Sequence, residues 1–324
     1  MPSTLPTELQ QAAERYLTSE FVTIDSNGRP IVWPVTPYFH AGGDCIDVTT
    51  GVGYPKKADD AARNPHVALL FSDPTGSGLT DPPTVLVQGT ARVDDADLDA
   101  NRERYEREMA DKLPALHALA PTGGLKRFFS WYYDRIYLHV RPERVYVWAH
   151  GDVIGEPTLY DAHVEEVRSG HNEEPEDGHA PPEGGLDVWD PRLDRLGRED
   201  TTAVLAIVGP DGFPFATRVP VRADATACIV HIDADPIAAP IEAGPACLCA
   251  HAHAADLTWQ QSYQVRGDLI EHEGRLVLHP HRIVAGLQLP SSAFERYRVN
   301  VRKILRFRKT ARQRTGAGSV GATR

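Results

Sequence analysis

Short apolar stretches separated by turn residues recur along most of this chain. Phe21–Ile24 and Ile31–Val35 are two of them, and they flank Asn27-Gly28, a dipeptide that favours a tight β-hairpin turn. Further short strands follow at regular spacing, with one short helix inserted after the third strand. This pattern predicts a small antiparallel barrel, and hence a mainly β fold with flanking helices.

The second half of the chain repeats the pattern. Ala203–Val208 and Phe215–Val219 flank Asp211-Gly212 as a second hairpin, and later Tyr263–Gly267 corresponds to Val85–Gly89 of the first half. Order, turn chemistry and spacing match over about 70 residues, which indicates an internal duplication. We therefore predict two tandem barrels.

The patterns predict four segments: a first barrel over 1–150, an acidic linker with a short helix over 151–200, a second, degenerate barrel over 201–288, and a basic C-terminal helix and tail over 289–324. Ser169–Gly185 is rich in Glu, Pro, Gly and Asp, which is typical of a mobile linker. A helix from Ser291 to about Lys309 can either bind phosphate-rich partners or dock its apolar side, Leu305 and Phe307 included, against the protein. We favour docking, with the residues beyond Thr310 disordered.

Composition narrows the function classes. The chain has 324 residues and a net charge of -11, which argues against general nucleic-acid binding. It contains no apolar run near the roughly 20 residues that span a bilayer, and no secretory signal pattern at its start. We therefore expect a cytoplasmic protein that binds neither nucleic acid nor membrane. Its four cysteines are too few and too unevenly placed for a disulfide framework.

The stretch Val48–Pro65 carries the most informative chemistry. It places Thr49 and Thr50 at the end of a strand, then glycines in a loop, then Lys56 and Lys57 at the start of a helix. Hydroxyls, backbone amides and ammonium groups all donate to phosphate oxygens, so the arrangement fits a phosphate cradle. The spacing alone also fits a solvated surface helix with two exposed lysines.

Several motifs in this order resemble a known family. They are Asn-Gly-Arg-Pro at 27–30, the Val-Thr-Thr strand end at 48–50, Lys57 ahead of Pro65, Arg-Asn-Pro-His-Val-Ala-Leu-Leu at 63–70, and Gln-Gly-Thr-Ala-Arg-Val at 88–93. Together they resemble the pyridoxamine 5'-phosphate oxidase-like superfamily of FMN-binding split barrels, which includes deazaflavin-dependent reductases. The resemblance covers residues 15–150 and, more weakly, 200–285.

The resemblance implies which residues bind the cofactor. Lys57 would contact the cofactor phosphate, with Thr49 and Thr50 as hydroxyl donors and Lys56 as a helper. The ring of FMN or of coenzyme F420 would lie along Val35, Thr36 and Pro37, with Trp148 nearby. Trp148 also fits a core or interface tryptophan. The motifs mark no catalytic acid, base or nucleophile, because in such enzymes the cofactor performs the hydride chemistry.

The second barrel departs from the family pattern at the phosphate motif. Asp235–Pro245 replaces the lysine-bearing helix start with prolines and alanines and contains no cation. We therefore expect the two barrels to pack as an intramolecular pseudo-dimer that binds one cofactor. Two such chains could also associate as a homodimer.

Cys247, Cys249, His251 and His253 are all of metal-ligand type. Alternate residues of a strand stand roughly 6.6 Å apart, so the first and last of the four would lie about 20 Å apart and could not share one ion. We therefore expect buried thiols and histidines near a pocket and no metal site.

Three functions remain open from sequence. The first is an oxidoreductase that transfers hydride between FMN, or F420, and an unknown small-molecule substrate. The second is a carrier or sensor of the same fold that binds flavin, deazaflavin or haem without turnover. The third is an interaction scaffold without a cofactor.

Overall fold

The computed structural model describes residues 5–40, 42–123, 128–149, 151, 155–161, 189–233, 241–286 and 304–314. The first unit has the helices α1 (Thr7–Arg15), α2 (Lys56–Arg63), α3 (Leu98–Lys112), α4 (Pro114–Ala118) and α5 (Ser130–Tyr133). Its strands are β1 (Ser19–Ile24), β2 (Pro30–Val35), β3 (Tyr38–Phe39), β4 (Ile46–Gly51), β5 (His66–Phe71), β6 (Thr84–Asp94), β7 (Arg135–Trp148) and β8 (Thr158–Asp161).

The second unit begins with a short 3-10 helix, Pro191–Arg195. Its strands are β9 (Thr202–Val208), β10 (Pro214–Asp224), β11 (Ile229–Ile232), β12 (Gly244–His253), β13 (Gln260–His272) and β14 (Arg275–Ala285). A further helix, α6, spans residues 304–314.

Both units have the same strand order. The first is ordered β2-β1-β5-β6-β7-β4, with β3 beside β4 and β8 beside β7. The corresponding order in the second is β10-β9-β12-β13-β14-β11, and pairing between β10 and β11 closes that sheet into a barrel. The strands equivalent to this last pair, β2 and β4, are not paired in the described structure, so the first sheet stays open. The predicted mainly β fold with flanking helices is confirmed, and the second barrel is the closed one.

A glycine sits at the same β-bulge in each unit. The register between β6 and β7 shifts at Gln88/Gly89, and that between β13 and β14 shifts at Arg266/Gly267. A Cβ at Gly89 would lie 2.1 Å from the Arg141 carbonyl oxygen, and one at Gly267 would lie 2.2 Å from that of His279. Only glycine fits where the two backbones approach so closely.

The two units share an apolar interface. Side chains of β1, β2, β5, β6 and β7 pack there against β9, β10 and β12, in a cluster that comprises Val22, Val32, Ala68, Leu70, Leu86, Trp148, Val204, Ala206, Ala216, Cys247 and Cys249. Amide side chains tie the backbones together, since Gln88 Nε2 donates to the Pro214 carbonyl and Gln264 Nε2 to the Val32 carbonyl, both at 2.8 Å. Successive residues of β12 alternate between two faces: Leu248 lies in the barrel core, and its neighbours Cys247 and Cys249 lie in the interface.

The helices differ in detail from the sequence predictions. Two helices, α3 and α4, follow β6 and are separated at Pro114, because proline cannot continue a helix. The disorder expected beyond Thr310 is wrong for residues 311–314, which continue α6, and residues 315–324 lie outside the described residues. Leu305, expected to dock, is 61% exposed. The predicted linker Ser169–Gly185 lies outside the described residues.

Candidate functional site

Most backbone amides of the loop between β4 and α2 already donate hydrogen bonds and are not free to bind a phosphate. Three successive amides already donate to carbonyls at 2.9–3.0 Å: Val52 to Asp134, Gly53 to Trp131, and Tyr54 to Gly51. A Cβ at Gly51 would lie 2.8 Å from the Trp131 carbonyl oxygen, so the glycine permits close packing. The donors left within residues 52–54 are therefore side chains.

The two lysines of α2 have different environments. Lys56 is 50% exposed, and its Nζ donates to both carboxylate oxygens of Asp60 at 2.9 and 3.0 Å. Lys57 is half-buried, and no carboxylate in the described residues lies within salt-bridge distance of its Nζ. Burial, helped by repulsion from Arg135, lowers the pKa of Lys57 to about 8. Of the two, Lys57 is the cation free to bind an anion.

Thr49 and Thr50 point to opposite faces of β4, because successive residues of a strand alternate. Thr50 is fully buried, and its Oγ1 donates to the Tyr54 carbonyl at 2.9 Å. Thr49 is half-buried, and its hydroxyl has no hydrogen-bond partner in the described part of the chain. The two hydroxyls therefore cannot face one phosphate together, and that of Thr49 is the free one.

A buried arginine lies on the same face as Thr49. Arg135 is 5% exposed and is paired with Gly51 in the register of β4 and β7. Its guanidinium donates to two tyrosine hydroxyls, from Nη1 to Tyr54 at 2.8 Å and from Nη2 to Tyr105 at 2.6 Å. The guanidinium carbon also lies 4.0 Å from the centre of the Tyr105 ring and 4.1 Å from that of the Tyr132 ring. Within the described residues it has no carboxylate partner, and its Nε has no acceptor. Arg135 and Lys57 thus make this end of β4 electropositive.

The predicted ring-binding residues lie at and after the end of β2. Val35 is buried in the core of the first unit, and Thr36 is half-buried. The carbonyl of Pro37 accepts from Lys112 Nζ at 2.6 Å, and the same ammonium donates to the Ala13 carbonyl at 2.9 Å. Burial lowers the pKa of Lys112 to about 7. Contact of these residues with a cofactor ring stays a prediction.

Trp148 is an interface residue in the structure. It ends β7, is 5% exposed and packs in the apolar cluster between the units. Its Nε1 donates to the Gly155 carbonyl at 2.9 Å. Trp148 therefore occupies the interface position that the sequence also allowed, and its contact with a cofactor stays a prediction.

The cysteine- and histidine-containing strand β12 faces the first unit. Cys247 and Cys249 are buried in the interface cluster, and burial raises the pKa of the Cys247 thiol to about 12. His251 and His253 bind acidic residues of the first unit, Glu20 and Asp73 respectively. Among the described residues, no group of three or more His, Cys, Asp or Glu side chains is placed to hold a metal ion.

Sequence reasoning missed Arg135 and Lys112. The signal for Arg135 was its position two residues after an aromatic segment, Phe128–Tyr133, at the start of a strand. Tyrosine hydroxyls and rings can stabilise a guanidinium without a carboxylate. Nothing in the local sequence of Lys112 distinguishes it from the arginines of α3.

In the parts of the chain that the structure describes, no helix is both long and apolar enough to cross a membrane. No family model matches this chain, and no curated protein matches it significantly.

Solved structures similar to this chain include proteins of the kind that its motifs resemble. One is a protein related to general stress protein 26, of the pyridoxinephosphate oxidase family, from Clostridium acetobutylicum, with 15% identity over 48% of this chain and 92% of that chain and a TM-score of 0.32. Another is an F420 reductase, with 20% identity, 44% and 98% coverage and a TM-score of 0.32. A third is a FAD-binding protein from Mesorhizobium loti, with 14% identity, 44% and 92% coverage and a TM-score of 0.31. At these identities and TM-scores the similarities carry no argument about site or activity.

Proposed function

We propose that this chain binds the phosphate of a flavin-type cofactor at Lys57 and acts as an oxidoreductase that transfers hydride to or from a small molecule. The half-buried Lys57 ammonium supports this proposal, because it has no counter-ion among the described residues and burial lowers its pKa to about 8. An unpaired, desolvated cation is costly for a folded protein. An anionic ligand would remove that cost, and both FMN and coenzyme F420 carry a phosphate.

The residues present fit a phosphate held by one cation and one hydroxyl. Lys57 would donate to it through the ammonium, and Thr49 would donate through its unengaged hydroxyl. Arg135 would add positive potential at this end of β4, although its own Nη atoms already donate to tyrosines. Lys56, bound to Asp60, is no longer expected to help.

The bound flavin or deazaflavin would supply the hydride chemistry at its central ring, while the chain holds and orients it. FMN is the first candidate and F420 the second. The alternative is a carrier or sensor of the same fold that binds the cofactor without turnover.

The test is a spectroscopic titration of the purified chain with FMN, F420 and haem, followed by chemical reduction and reoxidation. Lys57→Ala should weaken FMN binding about ten- to a hundredfold, as expected for loss of one charge-assisted contact to phosphate. Lys56→Ala is the matched control and should bind like the parent. Equal affinities of the parent and Lys57→Ala would refute the phosphate site. Tight binding without turnover of any hydride donor or acceptor would favour the carrier.

A further inference from the structure

Helix α6, near the end of the chain, packs on the loop that precedes α2. The Phe307 ring centre lies 5.3 Å from that of Tyr54 and 5.3 Å from that of Trp131. Ala311, one turn later, is 7% exposed and belongs to the core of the first unit. The basic helix therefore docks with Phe307 and Ala311 facing inward.

The contacts of α6 lie on both sides of Lys57 in the sequence. On one side is Gly53, where a Cβ would lie 3.0 Å from Cβ and from the carbonyl oxygen of Phe307. On the other side is Asp59, whose Oδ1 lies 2.6 Å from Nη1 of Arg314. Nη2 of the same arginine lies 2.9 Å from the Asp95 carboxylate, so Arg314 also ties α2 to the end of β6.

Helix α2 has little intrinsic stability to set the position of Lys57. It has 8 residues, and Pro55 at its N-cap provides no side-chain hydrogen bond. Helices shorter than about 12 residues are marginal in isolation, so their stability comes from tertiary packing. The packing on α6 is therefore part of what holds this helix in place.

Tyr54 connects α6 to the two cations. One side of its ring contacts Phe307, and its hydroxyl accepts from Arg135. The Nζ atom of Lys57 lies 5.9 Å from the centre of the same ring. A shift of Phe307 would therefore be transmitted through Tyr54 to Lys57 and Arg135.

We propose that α6 is a positioning element of the phosphate site: by clamping residues 53–59, the end of the chain sets where Lys57 presents its ammonium. The effect of α6 on phosphate binding rests on the proposed function, whereas the clamping of residues 53–59 by α6 does not.

Two pairs of variants test the role of α6. Phe307→Ala removes the contact with Tyr54, and Leu305→Ala, at a 61% exposed position of the same helix, is its control. Arg314→Gln removes the ion pair with Asp59, and Arg312→Gln, at an exposed position, is its control. We expect FMN to bind about tenfold more weakly to the double variant Phe307→Ala, Arg314→Gln, and unchanged to both controls.

Amide hydrogen exchange of the cofactor-free protein provides the second readout. In the double variant the amides of Val52, Gly53 and Tyr54 should exchange faster, while those of β6 and β13 keep their protection and show that the fold is intact. If the parent binds neither FMN nor F420, the proposed function fails, and the exchange data still decide whether α6 clamps the loop. Unchanged exchange overturns the clamp, and faster exchange with unchanged FMN affinity overturns its link to the phosphate site.

Discussion

The carboxylate of Glu20 and the imidazole of His251 meet across the boundary between the two units, with Oε1 of Glu20 2.6 Å from Nε2 of His251. Both side chains are almost fully buried. Arg218 Nη2 donates to the same oxygen at 3.0 Å, and Ser72 Oγ donates to the other oxygen at 3.0 Å. Because these partners come from both units, the network specifies how the units align within an otherwise apolar interface.

We expect Glu20→Gln to lower the free energy of unfolding by about 3 kcal/mol, since it leaves the buried His251 and the partly buried Arg218 without their carboxylate partner. Urea denaturation followed by fluorescence and circular dichroism measures the change. Glu103→Gln, at an exposed position of α3, is the control and should stay within about 0.5 kcal/mol of the parent. A Glu20→Gln variant as stable as this control would show that the network adds nothing to stability.

Acid should weaken the protein partly through the same carboxylate. Burial alone would raise the pKa of Glu20, but the hydrogen bond from His251 and the charges of His251 and Arg218 outweigh it and lower the pKa. The folded carboxylate then binds a proton less tightly than the unfolded one, whose pKa is about 4.5. Its stabilisation is present above that value and is lost as the pH falls through the lower folded pKa. The parent should lose stability below about pH 4.5 more steeply than Glu20→Gln; parallel curves would contradict this.

Cofactor affinity should fall as the pH rises through about 8, the pKa to which burial lowers Lys57. A bound phosphate favours the charged ammonium of Lys57. Above this pH the neutral amine must therefore be protonated when the cofactor binds, and the affinity falls by up to about tenfold per pH unit. FMN titrations from about pH 6.5 to 9.5 measure this dependence. In Lys57→Arg the decline should be absent, because a guanidinium stays charged throughout this range. An identical decline in that variant would assign the titration to another group.

One cofactor should bind per chain. The second unit lacks a lysine in the segment that corresponds to the start of α2, Asp235–Pro245. Calorimetric or spectroscopic titration with FMN should therefore saturate at one equivalent. Two equivalent sites per chain would contradict the proposed asymmetry between the units.

The strands, hairpins and duplicated order could be predicted because they depend on neighbouring residues. Alternating apolar positions and turn dipeptides such as Asn27-Gly28 act over a few residues, and Gly89 and Gly267 recur at the same bulge. The pairing of Lys56 with Asp60 is also local, since it follows from i,i+4 spacing on a helix.

The burial of Lys57 and the contacts of Arg135 could not be predicted from the local sequence. Burial of Lys57 depends on the packing around α2, and Arg135 reaches Tyr54 and Tyr105 through strand pairing and a helix distant in sequence. Closure of the second barrel, and not of the first, likewise depends on whether two strands meet across a sheet edge. Desolvation and long-range pairing are properties of the assembled chain, because they are set by residues that no local pattern brings together.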